Sequence, residues 1–403
     1  MAELLAPAGN LEKLIFAANF GADSVYFGLN QFSLRSFAGN FSLAEARQGL
    51  DYLHQRSKRG FCTLNIYPFD GEYPALLEQA QALEKAGVDG LIVADIGVLA
   101  MLRDAGIEVP IHISTQANTV SARTVEVYRE LGATRVNLAR ELSFEQIAGI
   151  QQAANETGME LEVFIHGSVC LSYSGRCAIS DYLTGRRANR GECTHPCRWK
   201  YALVEEKRPN QYLPVGEDER GLYIFNARDL ALFPYVRRLQ ELKIASFKIE
   251  GRMKTIHYIS SVVSLYRRIM DGDTISEDEA LSLLQKVPNR GHSLGFMKGG
   301  IEPADYDVTK EDARTNVLFQ GFVREEKIPG KSVIEVRGKI CAGEKSELLM
   351  RDGRTREIEL PPSFENEEGE TLTVATHARI ILPFELPPFT IVRKTHNDAT
   401  APG

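Results

Sequence analysis

Short apolar runs alternate with amphipathic stretches through roughly the first 270 residues of the chain. The runs occupy residues 4–6, 24–28, 62–66, 91–94, 111–114, 135–139, 161–165 and 246–249. The stretches between them repeat apolar positions with helical spacing, as in LEKLIFAANFGA and SARTVEVYRELGA, and several end at a glycine (Gly21, Gly87 and Gly132). Nearly continuous apolar strands that alternate with helices predict a parallel sheet covered by helices.

Eight such strands favour an α/β fold of the (β/α)8, TIM-like barrel type. The alternative is an open doubly wound sheet, although no GxGxxG motif follows any of the runs. A long insertion follows the seventh run, and within and after it we predict a hairpin between 201–206 and 222–225 and a helix over 229–242. The first predicted domain is therefore a barrel over 1–300 with an insertion at about 166–225.

Beyond Gly299 and Gly300 the pattern changes to short β-rich segments separated by Gly, Pro and Asp turns. Examples are residues 316–323, 332–336, 347–350, 356–360 and 378–382. This pattern predicts a small all-β barrel domain over 305–395, followed by a flexible tail over 396–403.

Composition places the chain among globular proteins, since 43% of its 403 residues are hydrophobic and 25% are charged. The start, MAELLAPAGN, lacks a basic segment followed by an apolar run, and no uninterrupted apolar stretch reaches about 18 residues. We therefore expect a cytoplasmic protein with no membrane partner. The net charge of −7 argues against a surface that coats nucleic acid as a whole.

Four of the six cysteines fall within 28 residues, with the spacing C-x6-C-x15-C-x3-C: Cys170, Cys177, Cys193 and Cys197. Clustered thiols in a reducing compartment more often bind metal than form disulfides. Four thiolates suit either a tetrahedral zinc ion or an iron–sulfur cluster, and the absence of C-x2-C pairs favours the cluster. Unligated buried cysteines are the alternative. Cys62 lies in an apolar run, which indicates a core residue, and Cys341 stands alone.

Polar residues follow most of the predicted strands, where the carboxyl ends of barrel strands form an active-site face. They are Asn65, Asp95, Thr115, Gln116, Arg140, Glu141, His166, Asn226, Lys248, Glu250 and Arg252. A helix cap or a core hydrogen bond is the alternative for each singly, and it is favoured for Asn65 and Asp95. Lys248 and Arg252 would supply positive charge for a carboxylate or phosphate, with Glu250 as an orienting group or proton acceptor. The alternative is a buried ion pair that ties the last strand to its helix. We assign catalytic roles to Gln116, His166, Lys248, Glu250 and Arg252.

The cysteine segment is also locally basic, with a balance of +4 between Arg176 and Lys200. Its arginines are Arg176, Arg186, Arg187, Arg190 and Arg198. They predict either a solvated loop or a docking surface for a polyanion beside the metal. Tyr173 lies in the same segment and is a candidate for base stacking, although packing alone would also explain it.

Several segments together resemble the U-thirty-two peptidase (collagenase-like) family: LLAPAGN, GADSVYFGLNQFSLR, TLNIYP, HISTQANT, RVNLARELS, EVFIHGSVCLSYSGRC, GECTHPCRWKY and SFKIEGRMK. The β-rich tail resembles the C-terminal domain of that family. The chain is most similar to the branch that hydroxylates wobble uridines of tRNA to 5-hydroxyuridine, independently of oxygen and dependent on prephenate. The resemblance implies a 4Fe–4S cluster on Cys170, Cys177, Cys193 and Cys197, and the tRNA anticodon loop as partner.

Two other functions stay open on the residues alone. The first is a peptidase acting on collagen-like substrates, for which no GxSxG or HExxH motif is present. The second is an RNA-binding scaffold held together by structural zinc. The remaining substrate-binding candidates in the tRNA hypothesis are Asn65, Thr115, Arg140, Glu141, Asn226 and the basic segment.

Overall fold

The computed structural model describes residues 2–34, 39–169, 177–188, 192–196, 198–199, 202–205, 208–214, 216–218, 221–223, 226–300, 306–307 and 315–395. Two compact units divide the chain. The first comprises residues 1–18, 22–254 and 289–313, and the second comprises 19–21, 255–288 and 314–403. No helix among the described residues is long and apolar enough to span a bilayer.

Eight parallel strands close a barrel in the first unit, which confirms the predicted fold class. They are β1 (Glu3–Pro7), β2 (Ser24–Gly28), β3 (Arg59–Leu64), β4 (Gly90–Val93), β5 (Ile111–Ile113), β6 (Arg135–Asn137), β7 (Glu160–Gly167) and β15 (Ser246–Ile249). Strands that are consecutive in the chain from β1 to β7 pair with one another, and β15 closes the barrel by pairing with both β1 and β7. The strands are buried along almost their whole length, as their apolar sequences require.

Helices connect the strands. They are α1 (Leu11–Asn19), α2 (Leu43–His54), α3 (Tyr73–Lys85), α4 (Ile96–Asp104), α5 (Ala122–Glu130), α6 (Phe144–Thr157), α7 (Ile179–Thr184) and α8 (Val236–Glu241). Capping residues fix where several begin: Ser42 and Glu45 form a capping box on α2, and Asp95 accepts from the amide of Val98 on α4. The predicted glycine stops are present, since Gly87 and Gly132 take positive φ after α3 and α5.

The insertion between β7 and β15 contains α7, α8 and short strands: β8 (Arg198–Trp199), β9 (Ala202–Glu205), β10 (Arg208–Pro214), β11 (Gly216–Asp218), β12 (Gly221–Tyr223), β13 (Asn226–Ala227) and β14 (Asp229–Ala231). The predicted hairpin is wrong in its partners, because β9 pairs with β10 and β12 pairs with β8 and β11. The predicted helix over 229–242 is also wrong at its start. Residues Asp229–Ala231 instead form a strand that pairs antiparallel with β7 and parallel with β16 (His292–Ser293), so long-range pairing overrides the local helical pattern.

The second unit contains α9 (Ile256–Met270), α10 (Glu277–Gln285) and an antiparallel all-β domain. Its strands are β18 (Val317–Ile328), β19 (Lys331–Val336), β20 (Lys339–Cys341), β21 (Lys345–Leu349), β22 (Thr355–Glu359), β23 (Phe364–Asn366), β24 (Thr371–Leu372), β25 (Val374–Thr376), β26 (Arg379–Leu382) and β27 (Ile391–Thr395). The short strand β17 (Tyr306–Asp307) belongs to the first unit, where it pairs with β13. A core that includes Ile334, Leu348, Ile380 and Val392 fills the β domain. The predicted β-rich domain is thus confirmed, whereas the tail over 396–403 lies outside the described residues.

Candidate active site

A cavity lies at the carboxyl ends of the barrel strands. Its volume is about 880 Å³, part of which is open to solvent. Its walls come from β2 to β7, from β15 and from the insertion: Tyr26, Leu34, Thr63, Asn65, Ile92, Ser114, Thr115, Gln116, Asn137, Arg140, Phe164, Cys177, Ala188, Cys193, Lys248, Glu250 and Arg252. This is the face on which barrel enzymes place their chemistry.

The cavity gathers many of the residues that the sequence singled out. Those present are Asn65, Thr115, Gln116, Arg140, Cys177, Cys193, Lys248, Glu250 and Arg252. Of the other described candidates, His166, Glu141, Arg186 and Arg187 do not line it. Cys170, Tyr173, Arg176, Arg190 and Cys197, and the side chains of Arg198 and Asn226, lie outside the described residues.

His166 is buried and does not line the cavity, although Phe164 two positions earlier does. In a regular strand these two side chains would share a face. The register between β7 and β15 shifts at this point, so that Phe164 pairs with Lys248 but His166 pairs with Ile249. The ring of His166 consequently lies 5.9 Å from that of His292. Burial lowers the pKa of His166 to about 3, so the imidazole is neutral at physiological pH.

Lys248 lies at the base of the cavity and belongs to a buried layer of charges. Its Nζ donates to Glu162 Oε1 at 2.7 Å and lies 4.5 Å from the centre of the Tyr26 ring. Arg135 pairs with Glu3 at 2.8 Å and approaches Glu162 at 3.5 Å. Burial alone would raise the pKa of Glu162, but Lys248 and Arg135 outweigh it and hold that pKa below its ordinary value. The ion pair of Lys248 therefore joins two strands, not a strand and its helix.

Glu250 and Tyr26 form a hydrogen-bonded pair on the cavity wall. Tyr26 donates its hydroxyl to Glu250 Oε2 at 2.9 Å, and the amide of Glu250 donates to the His166 carbonyl at 2.8 Å. Burial and the neighbouring carboxylate raise the pKa of Tyr26 well above its usual value. The phenol therefore stays protonated and keeps Glu250 oriented toward the cavity.

Arg252 is 3% exposed and is held by hydroxyl and amide side chains. Its guanidinium donates to Ser33 Oγ at 2.8 Å, to Thr63 Oγ1 at 3.3 Å and, in a short contact, to Asn40 Oδ1. These bonds fix the planar group in one orientation beside the cavity. Gly28 makes room for it, since a Cβ there would lie 2.5 Å from an Arg252 nitrogen.

Three further candidates make hydrogen bonds within the protein. Asn65 accepts from the amide of Leu34 at 3.1 Å and donates to Ser114 Oγ at 3.4 Å. Thr115 donates its hydroxyl to the carbonyl of Leu138 at 3.2 Å. Arg140 donates to the Ser168 carbonyl at 3.1 Å and stacks 3.9 Å from the centre of the Phe164 ring. Arg140 alone of the three retains charge that a ligand can use.

Two side-chain amides in the cavity differ from Asn65. Asn137, at the end of β6, is 2% exposed, and its Oδ1 accepts no hydrogen bond from any described residue. The Oε1 atom of Gln116, on the 3-10 turn after β5, is also buried without such a partner. Sequence reasoning found Gln116 but missed Asn137, because Asn137 falls inside an apolar run. A lone amide at an inward-facing strand position was the available signal.

Cys177 and Cys193 line the same cavity, and neither forms a disulfide with another described cysteine. Both thiols are partly buried. The amide of His195, which takes a left-handed φ of 56°, donates to Cys193 Sγ at 3.3 Å. Amide hydrogen bonds to sulfur stabilise thiolate ligands and tune the potential of iron–sulfur clusters. Cys177 and Cys193 are the two predicted ligands that the structure describes at the cavity, and no group of three or more side chains that could hold a metal ion occurs among the described residues.

The remaining cysteines differ in kind. Burial raises the pKa of Cys62 to about 12, which makes it an inert core thiol, as predicted. Cys341 lies at the end of β20 in the β domain.

The described part of the basic segment lies next to the cavity lining. Arg186 and Arg187 are exposed and directly precede Ala188, a lining residue. Tyr182, on α7, is 88% exposed. An exposed aromatic ring and two exposed guanidinium groups are side chains suited to a single-stranded nucleic acid.

A second buried ion pair supports the insertion next to the barrel. Asp229 accepts from Arg290 at 2.9 Å, and the same arginine donates to Ser168 Oγ at 3.0 Å. Burial opposes the charge on Asp229, but Arg290 and Lys254 hold its pKa below its ordinary value. The pair anchors β14 at the point where it joins β7. Neither residue was predicted from the sequence, because their partners are distant along the chain.

Together, these features define a (β/α)8-barrel protein with a charged and amide-lined cavity at the carboxyl ends of its strands and a cysteine-bearing insertion beside it. The sequence profile of Peptidase family U32 matches residues 9–305, and that of the Peptidase family U32 C-terminal domain matches residues 315–393. The chain therefore belongs to Peptidase family U32, which confirms the resemblance.

The relatives carry different names. The chain is 31% identical to "tRNA hydroxylation protein P" of Escherichia coli over 93% of its own length and 91% of the relative's. It is 34% identical to "tRNA hydroxylation protein P1" of Bacillus subtilis over 95% and 92%. A "Collagenase" of Porphyromonas gingivalis is 29% identical over 74% of this chain and 73% of that protein. The tRNA-related similarity thus extends over both units.

Proposed function

We propose that this protein is a tRNA-modifying enzyme that hydroxylates wobble uridine to 5-hydroxyuridine. The observation that carries the proposal is one cavity lined by two of the four clustered cysteines, three cations and two amides whose oxygens accept no hydrogen bond from a described residue. The similarity to two proteins named for tRNA hydroxylation, over more than nine-tenths of this chain, supports tRNA as substrate.

The cavity suits a single base. A wobble base lies in a single-stranded loop and enters a pocket without the loss of a duplex. In this proposal the exposed side chains of Arg186 and Arg187 contact loop phosphates, and the exposed ring of Tyr182 stacks on a neighbouring base. Within the cavity, Phe164 and Ile92 supply apolar surface for the ring.

In this proposal Cys170, Cys177, Cys193 and Cys197 hold a 4Fe–4S cluster. Such a cluster supplies electron transfer, which hydroxylation of a pyrimidine ring requires and side chains do not provide. Cys177 and Cys193 already line the cavity, so ligation by them would put redox chemistry next to the bound base. Independence of oxygen belongs to the same proposal.

Prephenate is proposed as cosubstrate or effector. It is a small carboxylate, and the guanidinium of Arg140, the ammonium of Lys248 and the guanidinium of Arg252 all line the cavity. Arginine binds carboxylates through paired hydrogen bonds, and lysine binds them as a point charge. Glu250, held by Tyr26, is then the proton acceptor next to the bound ligands.

Mass spectrometry of tRNA from a strain that lacks this gene tests the function. We expect 5-hydroxyuridine and nucleosides derived from it to disappear, and to return with the wild-type gene but not with a Glu250→Gln variant. Unchanged nucleosides in a strain that carries no second family member would refute the proposal. Anaerobic reactions with and without prephenate then test the cosubstrate.

Peptidase activity is the second candidate, because the family carries that name and one relative is named a collagenase. Among the described lining residues there is no histidine or aspartate to activate a nucleophile. Purified metal-loaded protein should therefore leave gelatin intact. Cleavage that disappears in Glu250→Ala would favour the peptidase instead.

A further inference from the structure

Asn137 and Gln116 are buried polar groups whose cost to the fold needs an explanation. A buried amide without a hydrogen bond destabilises a protein, and native structures contain few such groups. Here two occur in one cavity, and the polar side chain of Asn65 in the same wall is fully bonded. Two unsatisfied amides that face one space are best explained by a ligand that bonds to them.

The two amides are neighbours in the barrel. Asn137 ends β6 and Gln116 follows β5, and these strands pair in parallel with Ile113 opposite Val136. Asn137 is therefore level with Ser114, two residues before Gln116. Both side chains line the same cavity, which is the basis for assigning them to one ligand.

The hydrogen-bonding groups of the two amides indicate which edge of a ligand they would contact. An amide has one acceptor and two donor hydrogens, and a half-turn of the group exchanges their positions. Neither amide oxygen accepts a hydrogen bond from a described residue, so no such bond fixes which way either group is turned. Uracil presents an N3–H donor between two carbonyl acceptors, which two such amides match.

We propose that Asn137 and Gln116 read the base-pairing edge of the uracil ring, with Asn137 accepting from N3–H and Gln116 donating to a ring carbonyl. This inference rests on the proposed function and adds the residues that set base specificity. Asn137 takes the N3 position because it is the more deeply buried, so it excludes water from the bond that identifies the base.

The test uses two anticodon stem–loop RNAs that differ only at the wobble position, one with uridine and one with 3-methyluridine. The methyl group removes the N3–H donor and adds bulk at that atom. We expect the wild type to bind and hydroxylate the uridine RNA at least about tenfold better than the methylated one, as the loss of one buried hydrogen bond predicts. Binding is measured by fluorescence anisotropy and hydroxylation by mass spectrometry.

Variants of the two residues should respond differently. Asn137→Ala should lower the affinity for uridine RNA and abolish the preference over 3-methyluridine, while Asn137→Asp, which keeps an acceptor, should retain that preference. Gln116→Ala should lower the affinity for both RNAs by a similar factor and leave the preference for uridine over 3-methyluridine unchanged. Gln152→Ala changes an exposed amide on α6 and serves as the matched control, with wild-type values expected.

The outcomes separate the two proposals. If the wild type hydroxylates uridine RNA and Asn137→Ala keeps the full preference over 3-methyluridine, the assignment of Asn137 is wrong and the proposed function stands. If the wild type neither binds nor modifies the uridine RNA, both are wrong. Circular dichroism of each variant shows whether it folds, and Asn137→Asp provides the decisive comparison if the alanine variant does not.

Discussion

Glu162 is the group on which the buried charge layer beneath the cavity depends. Two buried carboxylates, Glu3 and Glu162, face two buried cations, Arg135 and Lys248, and all four are at most 5% exposed. Glu162 accepts from Lys248 at 2.7 Å and from Ser246 at 3.0 Å. The substitution Glu162→Gln keeps the shape of the side chain but leaves the layer with one excess positive charge.

We expect Glu162→Gln to lower the free energy of unfolding by about 3–5 kcal/mol, the usual cost of removing one partner from a buried ion pair. Glu160→Gln is the matched control. It also removes a carboxylate that contacts Arg135, at 2.6 Å, but Glu160 is 51% exposed. Solvent screens that pair, so the control should cost no more than about 1 kcal/mol.

Urea unfolding followed by circular dichroism measures both variants. The pKa of Glu162 is lowered in the folded state, so its contribution is present above the ordinary value of 4.5 and is lost as the pH falls below it. The difference between wild type and Glu162→Gln should therefore shrink at acid pH. Adding Lys248→Met to Glu162→Gln should recover at least half of the loss, because the excess charge disappears. Equal effects of Glu162→Gln and Glu160→Gln would refute the reasoning.

Three further predictions concern the metal centre, pH and the cavity wall. Cys193→Ser should lower the iron and sulfide content of anaerobically purified protein, while Cys341→Ser should not, and equal contents would exclude Cys193 as a ligand. Burial lowers the pKa of His257 to about 3, so the folded state stays neutral while the unfolded state is protonated below 6.5. The free energy of unfolding should therefore fall as the pH is lowered from 6.5, by on the order of 2 kcal/mol at about pH 5. Urea unfolding at pH 6.5 and at about pH 5 measures this loss, which His257→Gln should reduce. Gly28→Ala should displace Arg252, because the new Cβ would lie 2.5 Å from its guanidinium, and should weaken binding of carboxylate ligands in calorimetry without unfolding the barrel.

The barrel was predictable because the sequence pattern and the fold depend on the same physical property. Strands buried on both faces are apolar throughout, and helices with clear start and stop residues separate them. The site followed from topology, since parallel strands bring their carboxyl ends together and polar residues there must meet. Asn65, Gln116 and Lys248 come from different strands, and all three line one cavity.

The failures have a common cause in long-range pairing. The register between β7 and β15 shifts beside His166, which does not line the cavity, and no local pattern in β7 predicts that shift. Asp229–Ala231 forms a strand only because β7 and β16 are available on either side. Secondary structure that depends on a partner distant in the chain cannot be predicted from the sequence of the segment itself.

Cavity residues of the same type differ in whether other protein groups satisfy their hydrogen bonds, and this difference indicates their roles. Asn65 and Asn137 are the same amino acid at the carboxyl ends of two barrel strands, and both line one cavity, although only Asn65 was predicted from the sequence. Asn65 has two protein partners, so its amide is already used to hold the loop at Leu34 and Ser114. Asn137 is more deeply buried than Asn65, and its oxygen accepts no hydrogen bond from a described residue, so that oxygen contributes no such bond to the fold. In the proposal that Asn137 reads the base, an amide is kept at this position for recognition of a ligand, although an apolar side chain would avoid the cost of an unsatisfied oxygen. The same reasoning separates Gln116 from Thr115, whose hydroxyl bonds to the Leu138 carbonyl.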